Sequence, residues 1–80
     1  MEKEMVTFDL ELDARGMDCP LPILRTKKSL NSMASGQVLR IKATDPGSMR
    51  DFEAFSRQTG HGLISAENIE GTFVFILKKK

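Results

Sequence analysis

Apolar and polar residues alternate strictly from residue 6 to residue 12. The apolar positions in this stretch are Val6, Phe8, Leu10 and Leu12. Such alternation predicts a β-strand with one face against a core. A second alternating stretch, residues 38–44, predicts another strand. Its inward-facing residues are Leu39, Ile41 and Ala43.

Two segments have the spacing of amphipathic helices. The first, residues 20–34, has one apolar stripe in which Thr26 or Lys27 occupies the middle turn. The apolar members of the stripe are Ile23, Leu24, Leu30, Met33 and Ala34. Gly36 follows and can adopt the left-handed conformation that ends a helix. The second helix is predicted over residues 48–59 and ends at Gly60. Its buried side carries Met49, Phe52 and Phe55.

The last part of the chain predicts a hairpin. A strand around residues 63–66 is followed by the tight turn Glu70-Gly71 and by a strand over residues 72–77. That last strand is apolar on both faces, which is typical of a central position in a sheet. One face carries Phe73, Phe75 and Leu77, and the other carries Val74 and Ile76.

The element order βαβαββ predicts an α/β two-layer sandwich in a single domain spanning residues 1–80. Right-handed crossovers make the first three strands parallel. A central fourth strand then gives a mixed four-stranded sheet of order 1-2-4-3, with both helices on one face. Val74 and Ile76 would face away from the helices, either as a partner or dimer surface or as scattered surface residues.

Composition narrows the function classes. A net charge of +1 over 80 residues gives no general attraction to nucleic acid. The N-terminal residues 1–5 contain no apolar run typical of a signal peptide, and the longest apolar run, Phe73–Leu77, is too short to cross a bilayer. A single cysteine excludes an intramolecular disulfide framework and a multi-cysteine zinc site. We therefore expect a monomeric cytoplasmic protein without metal or cofactor. The basic tail 78–80 is interpreted as a solvated strand end, or as a handle for an acidic partner or an RNA backbone.

The sole cysteine lies in the quartet Cys19-Pro20-Leu21-Pro22, just before the first helix. Prolines fit the first helical turn, where backbone N–H groups have no partner within the helix. Cys19 is therefore predicted at or near the N-cap, where the helix dipole favours the thiolate. The adjacent Asp18 opposes that effect, and Arg15 and Arg25 could offset Asp18. If Cys19 is the N-cap, the N–H groups of Leu21 and Ile23 remain to bond the sulfur.

Most catalytic uses of Cys19 lack a partner residue. A cysteine hydrolase needs a positioned base, and the only histidine, His61, lies between two glycines in a predicted cap or turn. A dithiol mechanism needs a second cysteine. The remaining interpretation is a thiol that one protein loads with sulfur and another unloads, so the chain is a relay component rather than a stand-alone enzyme. The alternative is a buried structural thiol.

The chain resembles the TusA/SirA/YedF family of small sulfur carriers over nearly its whole length. The resemblance rests on several motifs: Leu12-Asp13-Ala14 with Gly16, Cys19-Pro20-Leu21-Pro22, Gly36, Thr44-Asp45-Pro46-Gly47-Ser48 and Gly60-His61. It implies that Cys19 carries a persulfide and that Pro20 and Pro22 are motif residues. Met17, Arg25 and Asp45 are expected to contribute to partner docking.

The same resemblance implies the partners. A cysteine desulfurase or a rhodanese would donate the sulfur, and a DsrE/TusD-type protein would accept it, in tRNA 2-thiouridine synthesis or in cytoplasmic sulfur oxidation. Two other hypotheses stay open. One is a non-catalytic regulatory or interaction module of the same fold. The other is a weak nucleic-acid binder using Arg25, Lys27, Lys28 and the lysine tail, which the low net charge disfavours.

Overall fold

Four strands form one mixed sheet, and two helices pack on one of its faces, in the computed structural model, which describes residues 8–80. The elements are β1 (Leu10–Ala14), α1 (Leu21–Asn31), β2 (Val38–Ala43), α2 (Ser48–Thr59), β3 (Gly62–Ile69) and β4 (Thr72–Lys78). The strand order is β1-β2-β4-β3. β1 and β2 are parallel, and β4 is antiparallel to both of its neighbours. The predicted fold class and strand order are confirmed.

The core lies between the sheet and the two helices. The inward residues of β2 are fully buried, as predicted, and so are Phe75 and Leu77 of β4. Phe52 of α2 stacks on Phe75, with ring centroids 4.3 Å apart and planes inclined by 19°. Phe55 meets Phe52 edge-on at 6.5 Å. The predicted aromatic face of α2 therefore joins that helix to the central strand.

The first strand differs from its prediction. Val6 falls outside the described residues, and β1 begins only at Leu10. Asp9 explains the difference, because its N–H donates to the carbonyl oxygen of Val38 at 2.8 Å and its Oδ2 accepts from the N–H of Val38 at 2.8 Å. The chain bends there, and the Phe8 ring lies 5.5 Å from the guanidinium of Arg40 on the other side of the sheet. The expectation that Phe8 and Leu10 share a buried face is wrong, because Phe8 is 39% exposed and Leu10 is 42% exposed. Among the described members of that face, only Leu12 packs against the core.

Helix α1 is shorter than predicted, and the predicted apolar stripe is confirmed in part. Leu30 and, just after the helix, Met33 are buried, and Ile23 packs against the core, whereas Ala34 is exposed. The buried residues within the helix are Pro22, Thr26 and Leu30, whereas Leu24 is 52% exposed. Of Thr26 and Lys27, the two candidates for the middle turn of the stripe, Thr26 is the buried residue. The helix ends at Asn31 with Ser32 as C-cap, because the Ser32 hydroxyl and N–H both turn back to the Ser29 carbonyl. Gly36 has a positive φ of 89° but lies in the following loop, so it does not cap the helix.

Val74 and Ile76 do not form an exposed apolar patch on the open face of the sheet. Val74 is 8% exposed and Ile76 is 2% exposed, so the predicted surface is covered. In the strand register, Arg40 lies opposite Ile76 and Lys42 opposite Val74. The aliphatic parts of those long side chains can cover the strand while their charged ends reach Glu11, at 2.6 Å and 3.7 Å.

The basic tail is only partly a free strand end. The Lys79 backbone bonds to Gln37 and Gly36, and its ammonium group donates to the carbonyl oxygen of Leu30 at 2.8 Å. That carbonyl lies near the C-terminal end of α1, where a cation is favoured by the helix dipole. Lys79 therefore ties the end of the chain to α1 and is not available as a handle, unlike the exposed Lys78 and Lys80.

Candidate functional site: an exposed thiol beside two carboxylates

Parallel pairing of β1 with β2 brings together the two loops that carry the candidate site. Gly16, at φ 80°, turns the loop after β1, and its N–H donates to Thr44 Oγ1 in the loop after β2 at 2.9 Å. The carboxyl ends of parallel neighbours lie at the same edge of a sheet. Cys19 and Asp45 therefore emerge at one end of the molecule, although they are far apart in the sequence.

Cys19 stands just outside the first turn of α1. Pro20 is the N-cap, and Leu21 and Pro22 take the first two helical positions. The Leu21 N–H donates to the carbonyl oxygen of Asp18 at 2.8 Å. Cys19 therefore lies directly before the N-cap, within the prediction of a place at or near it, but the Leu21 N–H that was expected to remain for the sulfur is taken by Asp18. The thiol is exposed.

The sulfur lies at the lip of an open pocket of about 210 Å³ between the start of α1 and one side of α2. The α1 side is formed by Cys19, Pro20 and Ile23, and the α2 side by Asp51, Ala54, Phe55 and Gln58. The α2 residues recur with helical spacing, so they form one face of that helix. The pocket is mostly apolar, with a carboxylate beside the thiol.

The electrostatic environment opposes ionisation of the thiol. Hydrogen bonding to the Asp51 carboxylate raises the pKa of Cys19, and partial burial and the charges of Asp51 and Asp45 raise it further. The sequence left the sign of the net effect on the thiol open, and in the isolated chain the pKa of Cys19 is raised. The like charges that oppose the thiolate are those of Asp51 in α2 and of Asp45 in the loop before it, and the sequence neighbour Asp18 is not among the causes of the raised pKa.

The nearby arginines do not compensate. Arg15 donates to both carboxylate oxygens of Asp13, at 2.8 Å and 2.7 Å. This ion pair holds the pKa of Asp13 well below its usual range. Arg25 is exposed on α1 and does not line the pocket.

The two carboxylates converge over the backbone of Gly47. Asp45 Oδ2 accepts from the Gly47 N–H at 3.0 Å, and the Asp45 carbonyl accepts from the Ser48 N–H at 3.0 Å, which together start α2. A Cβ at residue 47 would lie 3.2 Å from Asp45 Oδ2 and 3.8 Å from Asp51 Oδ2. Glycine therefore gives the Asp45 carboxylate room to turn back over the chain beside Asp51.

The structure places the remaining predicted site residues around this centre. Pro20 is exposed, whereas Pro22 is buried beneath it and anchors the turn. Met17 is half-buried and packs against the core. The functional roles of these residues, like the docking roles of Arg25 and Asp45, stay predictions.

Asp51 is not among the site residues predicted from the sequence. The available signal was its position in the first turn of α2, three, four and seven residues before Ala54, Phe55 and Gln58. That signal identifies one face of a helix. It becomes informative about the thiol only when the packing of α2 beside Cys19 is known.

His61 lies outside the pocket lining. It follows Gly60, the left-handed C-cap of α2, in agreement with the predicted cap or turn. Within residues 8–80, no three His, Cys, Asp or Glu side chains are grouped so that they could hold a metal ion. None of the helices in this range is both long and apolar enough to span a membrane.

The fold and the site define a small two-layer α/β protein that presents one exposed thiol at the start of its first helix. Residues 10–79 match the family model described as "Sulfurtransferase TusA". The chain is 59% identical over 75 residues to the sulfur carrier protein TusA of Allochromatium vinosum, covering 94% of this chain and 99% of the relative. It is 38% identical over 77 residues to the sulfur carrier protein TusA of Pseudomonas syringae, covering 96% and 92% of the two chains.

A solved structure supports the fold. The SirA-like protein of Desulfitobacterium hafniense superposes with a TM-score of 0.78 at 21% identity, covering 88% of this chain and 96% of the other. On the family model and the relatives together, the chain belongs to the TusA family.

Proposed function

We propose that this chain is a sulfur carrier that holds one sulfane sulfur on Cys19 as a persulfide. A donor protein, either a cysteine desulfurase or a rhodanese, supplies the sulfur, and an acceptor protein removes it. The observation that carries the proposal is the exposed Cys19 thiol at the lip of an open pocket, in a chain 59% identical to a sulfur carrier protein.

The loading step conserves atoms and electrons. The Cys19 thiolate attacks the terminal sulfur of the donor persulfide, a new S–S bond forms to Cys19, and the donor S–S bond breaks. The electron pair leaves on the donor cysteine, which becomes a thiolate and takes up a proton. No external oxidant or reductant is needed, because the sulfane sulfur moves at a constant oxidation state.

The unloading step is the same exchange in the other direction. A thiolate of the acceptor attacks the outer sulfur of the Cys19 persulfide, and Cys19 leaves as a thiolate. The chain has no second cysteine to trap the intermediate as an intramolecular disulfide. Ile23 and Phe55 give the pocket beside the sulfur apolar walls, which can shelter the outer sulfur between the two steps.

The wider role follows the family. The proposed acceptor is a DsrE/TusD-type protein, and the sulfur goes to tRNA 2-thiouridine or enters sulfur oxidation in the cytoplasm. Met17, Arg25 and Asp45 are the proposed docking residues of a monomeric carrier. Charge complementarity at Arg25 and Asp45 would contribute to partner choice.

Intact mass spectrometry tests the carrier role. The protein is incubated with a cysteine desulfurase and cysteine, or with a rhodanese and thiosulfate, and its mass is recorded before and after reductant. We expect one added sulfur that reductant removes, and none on Cys19→Ser. Absence of the adduct with both donors would reject the carrier role and favour a regulatory or interaction module of the same fold.

A further inference from the structure

The Cys19 sulfur and the Asp51 carboxylate share one pocket although they belong to different helices. Cys19 precedes α1, whereas Asp51 lies in the first turn of α2 and lines the opposite wall. The packing of the two helices holds them together, so their proximity does not depend on a flexible loop tip. Both side chains line this one pocket, and the Asp51 carboxylate raises the pKa of the Cys19 thiol.

Asp45 completes an acidic wall on the same side. Its Oδ2 is held by the Gly47 N–H at 3.0 Å, and the Asp45 and Asp51 oxygens approach the same point of the Gly47 backbone. Among residues 8–80, these two carboxylates are the charged groups that act on the sulfur. The cations nearest in sequence are Arg15, which is paired with Asp13, and Arg25, which lies outside the pocket.

We propose that Asp51 is a positioning residue for sulfur transfer: its carboxylate accepts the hydrogen of the Cys19 thiol and keeps this sulfur unreactive while the carrier is free. The inference rests on the proposed function, because it concerns how that same thiol is held between partners. Asp45 supports Asp51 through its charge and makes no direct contact with the sulfur in this role.

The carboxylate lowers the reactivity of the empty carrier. The thiolate is the attacking form, and the raised pKa of Cys19 reduces its fraction at neutral pH. A more basic sulfur is a better nucleophile once ionised, but that gain is smaller: a tenfold change in thiolate fraction is offset only about threefold. The net effect of Asp51 is slower attack by Cys19 on any electrophile, including oxidants and unintended disulfides.

The carboxylate also protects the loaded carrier. When a small thiolate such as glutathione attacks the outer sulfur, the S–S bond breaks and its electron pair goes to the Cys19 sulfur. That sulfur must then leave as an anion beside Asp51 and Asp45. A leaving thiol with a higher pKa leaves more slowly, so the sulfur is retained in a solution of small thiols.

Alkylation kinetics test the role of Asp51 on the empty carrier. The rate of Cys19 alkylation by iodoacetamide is measured for the wild type and Asp51→Asn from about pH 6 to about pH 10. We expect the midpoint of the profile to move to lower pH in Asp51→Asn, with a several-fold faster rate at neutral pH. Asp51→Glu, which keeps the charge, is expected to return the profile towards that of the wild type.

Asp18→Asn is the matched control. It removes a carboxylate next to Cys19 in the sequence that is not among the causes of the raised pKa of Cys19, so its profile is expected to stay close to that of the wild type. Thermal unfolding checks that each variant is folded. If Asp51→Asn is folded and its profile equals that of the wild type, or if Asp18→Asn shifts the profile as far as Asp51→Asn does, the proposal is overturned.

A second measurement uses the loaded protein. Carrier loaded with one sulfur is mixed with excess glutathione, and loss of the added mass is followed over time. Asp51→Asn is expected to lose its sulfur several-fold faster than the wild type and than Asp18→Asn. Equal rates would show that Asp51 does not protect the Cys19 persulfide from small thiols. The alkylation assay uses no sulfur donor, so a failure to load rejects the carrier role and leaves the alkylation test of Asp51 intact.

Discussion

Pro22 connects the thiol-bearing turn to the core. It is buried at the second position of α1, and its carbonyl oxygen accepts from the Thr26 hydroxyl at 2.8 Å. A backbone N–H at that position would have no partner within the helix, so the missing N–H of proline does not cost a hydrogen bond. The chain therefore passes within three residues from an exposed sulfur to a packed side chain, which limits the freedom of Cys19 without covering it.

His61 plays a structural part at the other end of α2. Its ring stacks on Phe55 with centroids 5.9 Å apart, and its Nδ1 accepts from the Lys80 N–H at 3.0 Å. Burial, together with the charges of Lys79 and Lys80, lowers the pKa of His61 below its ordinary value of 6.5. Protonation at Nδ1 would also remove the bond to Lys80.

A pH dependence of stability follows from His61. Because its folded-state pKa is lowered, the unfolded chain takes up a proton first as pH falls below 6.5. The stabilisation by neutral His61 is complete above that pH and declines as pH falls towards the folded-state pKa. We expect the urea midpoint of the wild type to fall between about pH 7.5 and about pH 5, and that of His61→Gln to fall less. Equal declines in the two proteins would contradict a contribution from His61.

At the scale of elements, α2 serves the core and the site with two different faces. Phe52 and Phe55 face the sheet, whereas Asp51, Ala54 and Gln58 reach the pocket beside Cys19. Phe55 belongs to both surfaces. A shift or rotation of α2 would therefore change the aromatic packing and the distance between the acidic wall and the sulfur together.

Helix α1 offers a matched pair of substitutions. Thr26 is fully buried in the middle of the helix, and the neighbouring Lys27 is exposed. Thr26→Lys would bury a charge without a partner, which is expected to lower the free energy of unfolding by about 3–5 kcal/mol. Lys27→Gln is expected to change it by less than about 0.5 kcal/mol. Urea denaturation measures both, and similar losses would show that the assigned buried stripe of α1 is wrong.

At the scale of the whole molecule, one stacked aromatic pair joins the two layers near the middle of the sheet. Phe52 of α2 and Phe75 of the central strand β4 are both fully buried and stacked 4.3 Å apart. β4 pairs with β2 on one side and β3 on the other, so this contact joins α2 to the middle of the sheet. The acidic wall beside Cys19 keeps its place because this layer contact keeps α2 in place.

Replacing one ring of the Phe52–Phe75 pair should remove a large part of the free energy of unfolding of a chain of this size. Phe52→Ala is expected to lower the free energy of unfolding by about 3–5 kcal/mol, out of a total on the order of 5–15 kcal/mol. Leu24→Ala, at a helical position that is 52% exposed, is the control and should change it by less than about 0.5 kcal/mol. Comparable losses in the two variants, in chemical denaturation, would contradict a core centred on Phe52.

Most of the architecture was predictable because it rests on periodicity. The number of strands, the bounds of α2 and the sheet order follow from which positions are apolar, and the apolar faces of β4 place it centrally. The predictions that fail are the start of β1 and the end of α1, where a polar side chain bonds to the backbone and interrupts the periodic element. Asp9 bonds to Val38 and bends the chain before β1, and Ser32 ends α1 ahead of Gly36. A polar side chain that bonds a distant backbone group leaves no periodic signal.

The open face of the sheet shows the same limit. Val74 and Ile76 are apolar in the sequence and were expected to form a surface, but Arg40 and Lys42 lie opposite them in the register. Whether a long cation covers an apolar neighbour depends on strand pairing, because the residues that meet across a sheet are remote in the chain.

The sequence by itself determined that one thiol stands at a proline-marked helix start, and that no second cysteine is available to trap it. Local backbone rules and composition were enough for that conclusion. The tertiary structure decided the charge beside the sulfur. The raised pKa of Cys19 is caused by Asp51 and Asp45 and not by the sequence neighbour Asp18. The packing of α2 against the start of α1 sets the distances on which these electrostatic interactions depend.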